Sequence, residues 1–243
     1  MINKKNKAFT MAEVLVTLLI IGVVAAVTIP GLRESTDQSG NIALAKKAYA
    51  TASNAFAQLQ ATYGPVLYWT VPQNAPANIR NVRVFGTTSH DHLSWMLQSK
   101  MNVTKKSFSD TTNRYTLSGD RFTASTKIDD RMKINLTGNN FQTADGMQWF
   151  LSNVNQYCSF EDAEDAQDII PEQYLKLCAL LLVDINGSKK PNRMGVDMFV
   201  FDITAQGIVP HQGNDCTSIT DNGYSCSDVI FSGNEKALDF IYE

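Results

Sequence analysis

Three histidines and the absence of known catalytic motifs bear on whether this chain could be an enzyme. His90 and His92 lie two residues apart, and His211 is far along the chain. Side chains two apart share a face only on a strand, and no third metal ligand is identifiable near them. The sequence contains no Gly-x-Ser-x-Gly, no P-loop and no His-Glu-x-x-His. Because no base is identifiable for its serines either, we predict that the protein is not an enzyme.

The four cysteines all lie in the second half of the chain: Cys158, Cys178, Cys216 and Cys226. An even number fits two disulfides if that half is exported, and reduced thiols if it is cytosolic. No Cys-x-x-Cys is present, which argues against zinc. Cys216 and Cys226 bracket CTSITDNGYSC, a loop rich in turn-forming residues, so we expect them to pair if that half of the chain is exported. Cys158 would then pair with Cys178, although four cysteines allow three pairings.

An oxygen-rich stretch, VDINGSKKPNRMGVDMFVFDI, joins two apolar runs. Five of its side chains offer oxygen ligands around one loop: Asp184, Asn186, Ser188, Asn192 and Asp197. Oxygen is the donor that calcium prefers, but the spacing is not that of an EF-hand, because Gly187 falls fourth rather than sixth. Asn186-Gly187 is also a common source of left-handed turn geometry. Two interpretations stay open: a calcium site at Asp184, Asn186 and Asp197, or a long hairpin loop.

The first 29 residues combine a basic start with a long apolar run. Residues 1–8 carry three lysines and no acid, and residues 9–29 are apolar except for three threonines and Glu13. A helix of that length spans about 30 Å, the thickness of the bilayer core. The lysines should keep the N-terminus in the cytoplasm, so the remainder would be exported. A carboxylate inside such a segment costs free energy in lipid, so Glu13 requires a partner.

The segment KAFTMAEVLVTLLIIGVVAAVTIP resembles the class III signal of type IV prepilins and type II secretion pseudopilins. That signal is a basic leader, a small residue, Phe-Thr-x-x-Glu and an apolar helix. The resemblance implies that a dedicated prepilin peptidase cuts between Ala8 and Phe9 and methylates the new N-terminus, although the family usually has Gly where this chain has Ala8. Glu13 becomes the fifth residue of the mature chain, where the family's acid acts in assembly. Pro30 falls where the family often has a proline that kinks the helix.

The resemblance implies a structural subunit rather than an enzyme. It would be a single-pass protein of the bacterial inner membrane, with a cytoplasmic N-terminus and an exported head, and would later join a periplasmic or extracellular filament. Its partners would be copies of itself, other pilins or pseudopilins, the prepilin peptidase and the inner-membrane assembly platform. We favour a type II secretion pseudopilus that supports protein secretion, because the stretch from 183 to 203 resembles a head pattern of pseudopilin-like proteins. The alternative is a major or minor type IV pilin for adhesion, motility or DNA uptake.

Ligands of the head are predicted less directly. Major pseudopilins bind calcium in a C-terminal loop, so calcium is the one cofactor that the resemblance implies. A net charge of −3 gives nucleic-acid binding no support. A binding module at a filament tip would instead need a basic or aromatic patch on the head. The arginines of the head are scattered along the sequence, so a patch cannot be read from it: Arg80, Arg83, Arg114, Arg121, Arg131 and Arg193.

Four segments are predicted to position these residues. They are the leader 1–8, a transmembrane and filament-core helix 9–29, an exported amphipathic helix 30–64 and a pilin-like globular head 65–243. The exported helix carries apolar residues at steps of three and four, and Gly64-Pro65 should end it. The stripe consists of Ile42, Ala45, Tyr49, Ala52, Phe56, Leu59 and Tyr63. We expect the stripe to pack against the chain's own sheet rather than against a partner helix.

The head is predicted to be an α+β domain, with an antiparallel sheet laid on the exported half of the long helix. A short helix is expected over 89–100, and strands over 114–119, 121–128, 131–138, 177–185 and 196–203, with 206–210 ending the sheet. Residues 139–153 predict a hairpin with Asp145-Gly146 as a two-residue turn. The acidic stretch 161–168 is expected to be an exposed loop or helix start.

Overall fold

A computed structural model describes residues 10–64, 89–108, 112–122, 136, 139–152, 177–233 and 238–242, without the side chains of 27, 29–36, 89–92, 239 and 242. Its helices are α1 (Met11–Tyr63), α2 (Ser89–Lys100), α3 (Cys226–Phe231) and α4 (Asp239–Tyr242). Its strands are β1 (Val103–Lys105), β2 (Asn140–Thr143), β3 (Gln148–Ser152), β4 (Leu177–Asp184), β5 (Met198–Thr204) and β6 (Ile208–Pro210). The predicted cleavage point, most of the strands over 121–138, the acidic stretch 161–168 and Cys158 lie outside the described residues.

Helix α1 is continuous over its whole described length. It ends where the sequence predicts, because Gly64 takes a φ of 77° and its N–H donates to the carbonyl of Gln60 at 2.8 Å. The backbone stays helical through position 30, so Pro30 does not interrupt the helix, and the kink there stays a prediction. The chain divides into two compact units between Gly40 and Asn41, a point inside α1.

The described strands form one six-stranded antiparallel sheet in the order β1-β2-β3-β4-β5-β6. Each strand pairs with its sequence neighbour, which is a simple meander. All eight residues of β4 are buried, including the run of apolar side chains from Leu177 to Val183. A strand buried on both faces needs cover on both faces, and this explains why its sequence is continuously apolar rather than alternating. The α+β fold with a helix on an antiparallel sheet is thus confirmed.

The second half of α1 covers one face of this sheet. Five of the seven residues of the predicted stripe are buried, with Ala45, Ala52 and Leu59 fully enclosed, and Tyr49 and Tyr63 are half-buried. The Tyr49 ring lies 5.5 Å from the ring of Phe201 in β5, tilted by 46°, and its hydroxyl donates to the carbonyl of Ile208 at 3.0 Å. Because an apolar stripe of this kind is stabilised mainly by tertiary packing, the helix and the sheet are interdependent. The stripe therefore packs on the chain's own sheet, as the sequence predicts.

The opposite face of the sheet carries an apolar cluster and the polar segments that close over it. The cluster combines β3, β4 and β5 side chains with one residue each from the hairpin of residues 114–122, the loop before β5 and the loop before α3: Phe122, Phe150, Leu177, Leu180, Leu182, Met194, Met198, Val200 and Tyr224. Residues 114–122 were predicted as strands of the main sheet, and that prediction is wrong. They form a hairpin that pairs with loops, since Leu117 N–H donates to Asn222 at 2.8 Å and Tyr115 N–H donates to Asn192 at 2.9 Å.

Two further details differ from the sequence prediction. The β2–β3 hairpin exists, but Thr143 N–H donates to Met147 O at 3.1 Å, so the loop has three residues ending in Gly146 at a φ of 90°. That is the type I turn with a left-handed glycine, rather than the two-residue turn that Asp145-Gly146 suggested. Helices α3 and α4 were not predicted, because four to six residues carry too little periodicity to be recognised.

Candidate functional site

The start of α1 is a capping box formed by Thr10 and Glu13. Glu13 Oε2 accepts hydrogen bonds from Thr10 N–H and Thr10 Oγ1, each at 2.9 Å, and Glu13 N–H donates to Thr10 Oγ1 at 3.3 Å. These reciprocal hydrogen bonds satisfy backbone N–H groups that have no partner within the first turn of a helix. Glu13 therefore has a structural role within its own helix. Among the described residues only Oε2 is used, which leaves Oε1 for a second partner.

The first turns of α1 expose apolar side chains in every direction. Nine consecutive or near-consecutive large residues between Val14 and Val24 each have 44–67% of their surface exposed. A helix that is apolar all round is normally covered by other helices or by lipid. Within the described residues, the structure contains no helix that is both long and apolar enough to cross a membrane. The assignment of 9–29 as a transmembrane helix stays a prediction.

The oxygen-rich loop between β4 and β5 is fastened by a buried ion pair. Arg114 Nη2 lies 3.1 Å from Asp184 Oδ2, and both side chains are fully buried. The guanidinium also donates to Gln148 Oε1 at 2.5 Å and lies 4.6 Å from the ring centre of Phe150. Burial raises the pKa of Asp184 to about 8, against the opposing effect of Arg114. The arginine therefore joins the hairpin to the end of β4.

Asp197 organises the other end of the same loop. Its carboxylate accepts hydrogen bonds from Asn192 N–H at 2.8 Å, Arg193 N–H at 2.7 Å and Asn186 Nδ2 at 3.0 Å. Asp197 is completely buried, and burial raises its pKa in spite of these donors. A carboxylate that caps several backbone donors fixes a loop in one conformation. This explains why the sequence places an acid directly before β5.

Asparagine and glycine residues complete the loop. Asn192 has a left-handed φ of 53°, and with its amide oriented to suit its neighbours it donates to Lys189 O, Gly187 O and Asp184 Oδ2 at 3.0–3.3 Å. Gly187 has a φ of 72°, and a Cβ there would lie 2.8 Å from Gly146 O. The five oxygen-bearing residues that the sequence singles out therefore build the loop, because the side chain of each forms a hydrogen bond within the loop or with Arg114 or Gln148.

The predicted calcium ligands are brought together, but most of their oxygens are already bonded. Asp184 Oδ2 faces Arg114, and both oxygens of Asp197 accept N–H groups. Two buried oxygens, Asp184 Oδ1 and Asn186 Oδ1, have no hydrogen-bond partner in the described structure. No group of three or more His, Cys, Asp or Glu suited to a metal occurs among the described residues. Since calcium takes six to eight oxygens, binding would require this loop to rearrange, and the calcium site stays a prediction.

A disulfide lies directly behind the loop. Cys216 and Cys226 are bonded, with their Cα atoms 5.1 Å apart, so this predicted pairing is confirmed. Gly195 has a φ of 75°, and a Cβ there would lie 2.6 Å from Cys226 Sγ. The loop and the disulfide therefore touch at a position that only glycine can occupy. Cys178 is also disulfide-bonded, while Cys158 lies outside the described residues.

The histidines have no catalytic arrangement among the described residues. His211 Nδ1 lies 2.8 Å from Asp202 Oδ1, and both side chains are nearly fully buried. Ser227 is close, but its hydroxyl donates to the carbonyl of Val200 at 2.6 Å and accepts the backbone N–H of His211 at 3.1 Å. Burial raises the pKa of Asp202, with His211 acting in the opposite direction. The side chains of His90 and His92 in α2 are not described.

Sequence reasoning missed the roles of Arg114 and Gln148. Both are buried polar side chains that contact a loop far away in sequence, and no local pattern marks such a pair. The only available signal was Arg114 within an alternating run, where a buried position demands a charged partner. Asp202 was likewise hidden, because it lies inside the apolar strand β5.

Comparison with known proteins identifies the N-terminal segment. Residues 3–29 match the family model described as the prokaryotic N-terminal methylation motif. The match includes Ala8, Phe9, Glu13 and the apolar half of α1, and it stops before the head. A search of the curated proteins and a search of the solved structures each found no match. Residues 3–29 of this chain are thus a prokaryotic N-terminal methylation motif, consistent with the type IV prepilin-like family.

Proposed function

We propose that this protein is a structural subunit of a bacterial type II secretion pseudopilus, cleaved between Ala8 and Phe9 and methylated on Phe9 before assembly. The observation that carries the proposal is the methylation motif at residues 3–29. The exposed apolar surface between Val14 and Val24 supports it, because such a surface requires lipid before assembly and neighbouring helices afterwards.

In this proposal, assembly depends on the charge of Glu13. Cleavage creates a positive amine at Phe9, and the Glu13 carboxylate of an adjacent subunit would pair with it inside a bundle of apolar helices. A buried charge without a partner is costly, so this pairing would set the axial register of each added subunit. The capping box uses one carboxylate oxygen, so Glu13 can cap its own helix and still accept a second partner.

Two substitutions of Glu13 separate these roles. Glu13→Gln keeps the acceptor of the capping box but removes the charge, whereas Glu13→Ala removes both. We expect both variants to insert and to be cleaved normally, and neither to assemble. The measurements are N-terminal peptide mass, recovery of sedimentable filaments and cross-linking between copies in the membrane. Normal assembly of Glu13→Gln would show that the charge is not required and would contradict the register mechanism.

Secretion distinguishes the proposed pseudopilus from a type IV pilus. Loss of the protein in its native host should leave folded secretion substrates in the periplasm and leave surface filaments unchanged. The opposite result, normal secretion with loss of adhesion, motility or DNA uptake, would assign the chain to a pilus. The pseudopilus is favoured here because the loop between β4 and β5, which resembles the head pattern of pseudopilin-like proteins, is an ordered part of the head fold.

A further inference from the structure

The disulfide between Cys216 and Cys226 is enclosed by the fold. The two half-cystines are 3% and 0% exposed, respectively. On one side Gly195 lies so close that a Cβ there would be 2.6 Å from Cys226 Sγ. Thiol–disulfide exchange requires a thiolate to reach one of the two sulfur atoms. In the folded head, this disulfide can therefore exchange only after a covering segment has moved away.

The loop that the disulfide closes is fastened at its base and at its tip. At the base, the Asp215 carboxylate accepts the backbone N–H groups of Tyr224 at 3.1 Å and Ser225 at 2.7 Å. At the tip, Asp221 Oδ2 accepts two backbone N–H groups from the start of the loop at 2.8–2.9 Å. A carboxylate that bonds several backbone donors fixes a loop in one conformation. The loop is therefore a firmly held cover.

The same loop also packs against the interior of the head. Gly223 has a φ of 84°, and a Cβ there would lie 2.7 Å from Leu117 Cβ and 3.2 Å from Met194 Cβ. Tyr224, the next residue, is 1% exposed and belongs to the apolar cluster on this face of the sheet. Opening the disulfide from this side would therefore expose core side chains to water, which costs free energy.

Helix α4 supplies a further cover that is held less firmly. A Cβ at Gly195 would lie 3.4 Å from Ile241 Cδ1, so Ile241 and the disulfide approach the same point. Leu238, directly before α4, is 1% exposed, while Ile241 is half-buried. A helix of four residues is not stable by itself, so α4 depends on the docking of these two side chains. Among the described covers of the disulfide, α4 is therefore the one that opens most readily.

We propose that α4 is a latch, which docks after the disulfide between Cys216 and Cys226 has formed and then protects it from exchange. The disulfide forms in two steps with a disulfide-bearing oxidant. One cysteine thiolate attacks the oxidant's disulfide and releases a thiol, and the second thiolate then displaces the other thiol from the mixed disulfide. The protein gives up two protons and two electrons, which the oxidant retains as two thiols.

This order of events follows from the enclosure of the sulfur atoms. An oxidant can reach the two cysteines before α4 docks, whereas a reductant can reach the finished disulfide only when α4 opens. The inference goes beyond the structural role in a filament and does not depend on which filament the chain joins.

The test measures how fast dithiothreitol reduces the disulfide between Cys216 and Cys226 in the full chain in detergent micelles. Thiols are alkylated with N-ethylmaleimide at timed intervals and located by peptide mass spectrometry, which distinguishes them from Cys178. We expect Ile241→Ala to speed reduction at least about 5-fold, because it uncovers the sulfur atoms and weakens the docking of α4. Ile241→Leu keeps the side-chain volume and should stay within about 2-fold of the parent. An unchanged rate in Ile241→Ala would overturn the proposal.

Two matched substitutions separate a latch from general loosening of the head. Ile219→Ala truncates a 40% exposed side chain at the tip of the same loop and should change the rate less than about 2-fold. Leu59→Ala creates a cavity in the fully buried part of the α1 stripe and should lower the melting temperature more than Ile241→Ala does. It should nevertheless leave the rate of reduction within about 2-fold, because α4 opens without unfolding of the whole head. Near-UV circular dichroism verifies that each variant is folded.

Three further results would contradict the latch. Equal acceleration in Leu59→Ala and Ile241→Ala would mean that the disulfide becomes accessible by global unfolding. Equal acceleration in Ile219→Ala would mean that the loop itself opens. Reduction of the parent as fast under native conditions as in denaturant would mean that no segment protects the disulfide.

Discussion

At the scale of single residues, the contact that joins the head's separate segments is the ion pair between Arg114 and Asp184. At pH 9, above the pKa of Asp184, we expect Arg114→Met to lower the free energy of unfolding by about 3 kcal/mol, because it leaves a buried carboxylate without its cation. The loss should lie at the low end for such pairs, since Asp184 can become neutral by binding a proton. Lys105→Met, at an exposed lysine, is the control and should change stability by less than about 0.5 kcal/mol. Chemical denaturation compares the two variants. Equal changes in their free energies of unfolding would show that the ion pair does not stabilise the head.

The same aspartate predicts how stability depends on pH. The pKa of Asp184 is raised from 3.8 to about 8 in the folded protein, so between these values the folded state binds a proton that the unfolded state does not. The contribution of protonated Asp184 to the free energy of unfolding is fully present below about pH 4. It is lost as the pH rises to 8, by at most about 1.4 kcal/mol per pH unit. Melting temperatures between pH 5 and 8 should therefore fall less steeply in Asp184→Asn than in the parent. Parallel profiles would mean that Arg114 keeps Asp184 ionised.

At the scale of elements, the loop before β5 packs directly against the disulfide at Gly195. We expect Gly195→Ala to cost about 3 kcal/mol or more, because it combines left-handed strain with a Cβ placed 2.6 Å from Cys226 Sγ. Gly119→Ala is a matched control, with a φ of 99° and no atom within 4 Å, and should cost only about 1–2 kcal/mol of strain. Thermal unfolding of both variants provides the comparison. A similar loss in each would show that the contact with the disulfide is unimportant.

Elements with a strong periodic signal could be predicted from the sequence, and contacts between distant loops could not. The apolar stripe of α1, the apolar strands β4 and β5 and the glycine at 64 each depend on local physics that the sequence displays. Residues 114–122 have the alternation of strands, yet outside their own hairpin their backbone hydrogen bonds go to the loops at 192 and 222, which no local pattern specifies. The methylation motif was found for the same reason as the helices, because its residues are contiguous.

The pairing of Arg114 with Asp184 joins positions 70 residues apart. Such pairs become visible only when the chain is folded, because side chains that face each other across backbone segments leave no spacing in the sequence. The oxygen-rich loop shows the converse. Its residue types suggested a metal, whereas the neighbouring arginine and backbone N–H groups already bond most of those oxygens.

At the scale of the whole molecule, the two units of the chain should be separable in function. Residues 41–63 of α1 belong to the compact unit that contains the sheet, whereas the preceding segment exposes its apolar residues. We expect a chain beginning at Gly31 to be soluble and monomeric, and to unfold within a few degrees of the detergent-solubilised full chain, because every buried residue of the stripe is kept. It should not enter filaments, because it lacks Glu13 and the apolar segment.

A second truncation tests whether the sheet needs the part of α1 that covers it. A chain beginning at Gly64 also lacks the stripe from Ile42 to Leu59, so it uncovers the face of the sheet that contains Phe201. Each fully buried large side chain contributes about 1.5–3 kcal/mol, and losing several exceeds the 5–15 kcal/mol by which domains are usually stable. We expect that chain to aggregate or remain unfolded, as judged by gel filtration and circular dichroism. A folded, soluble product would mean that the sheet does not need α1, and that the helix serves assembly along its whole length.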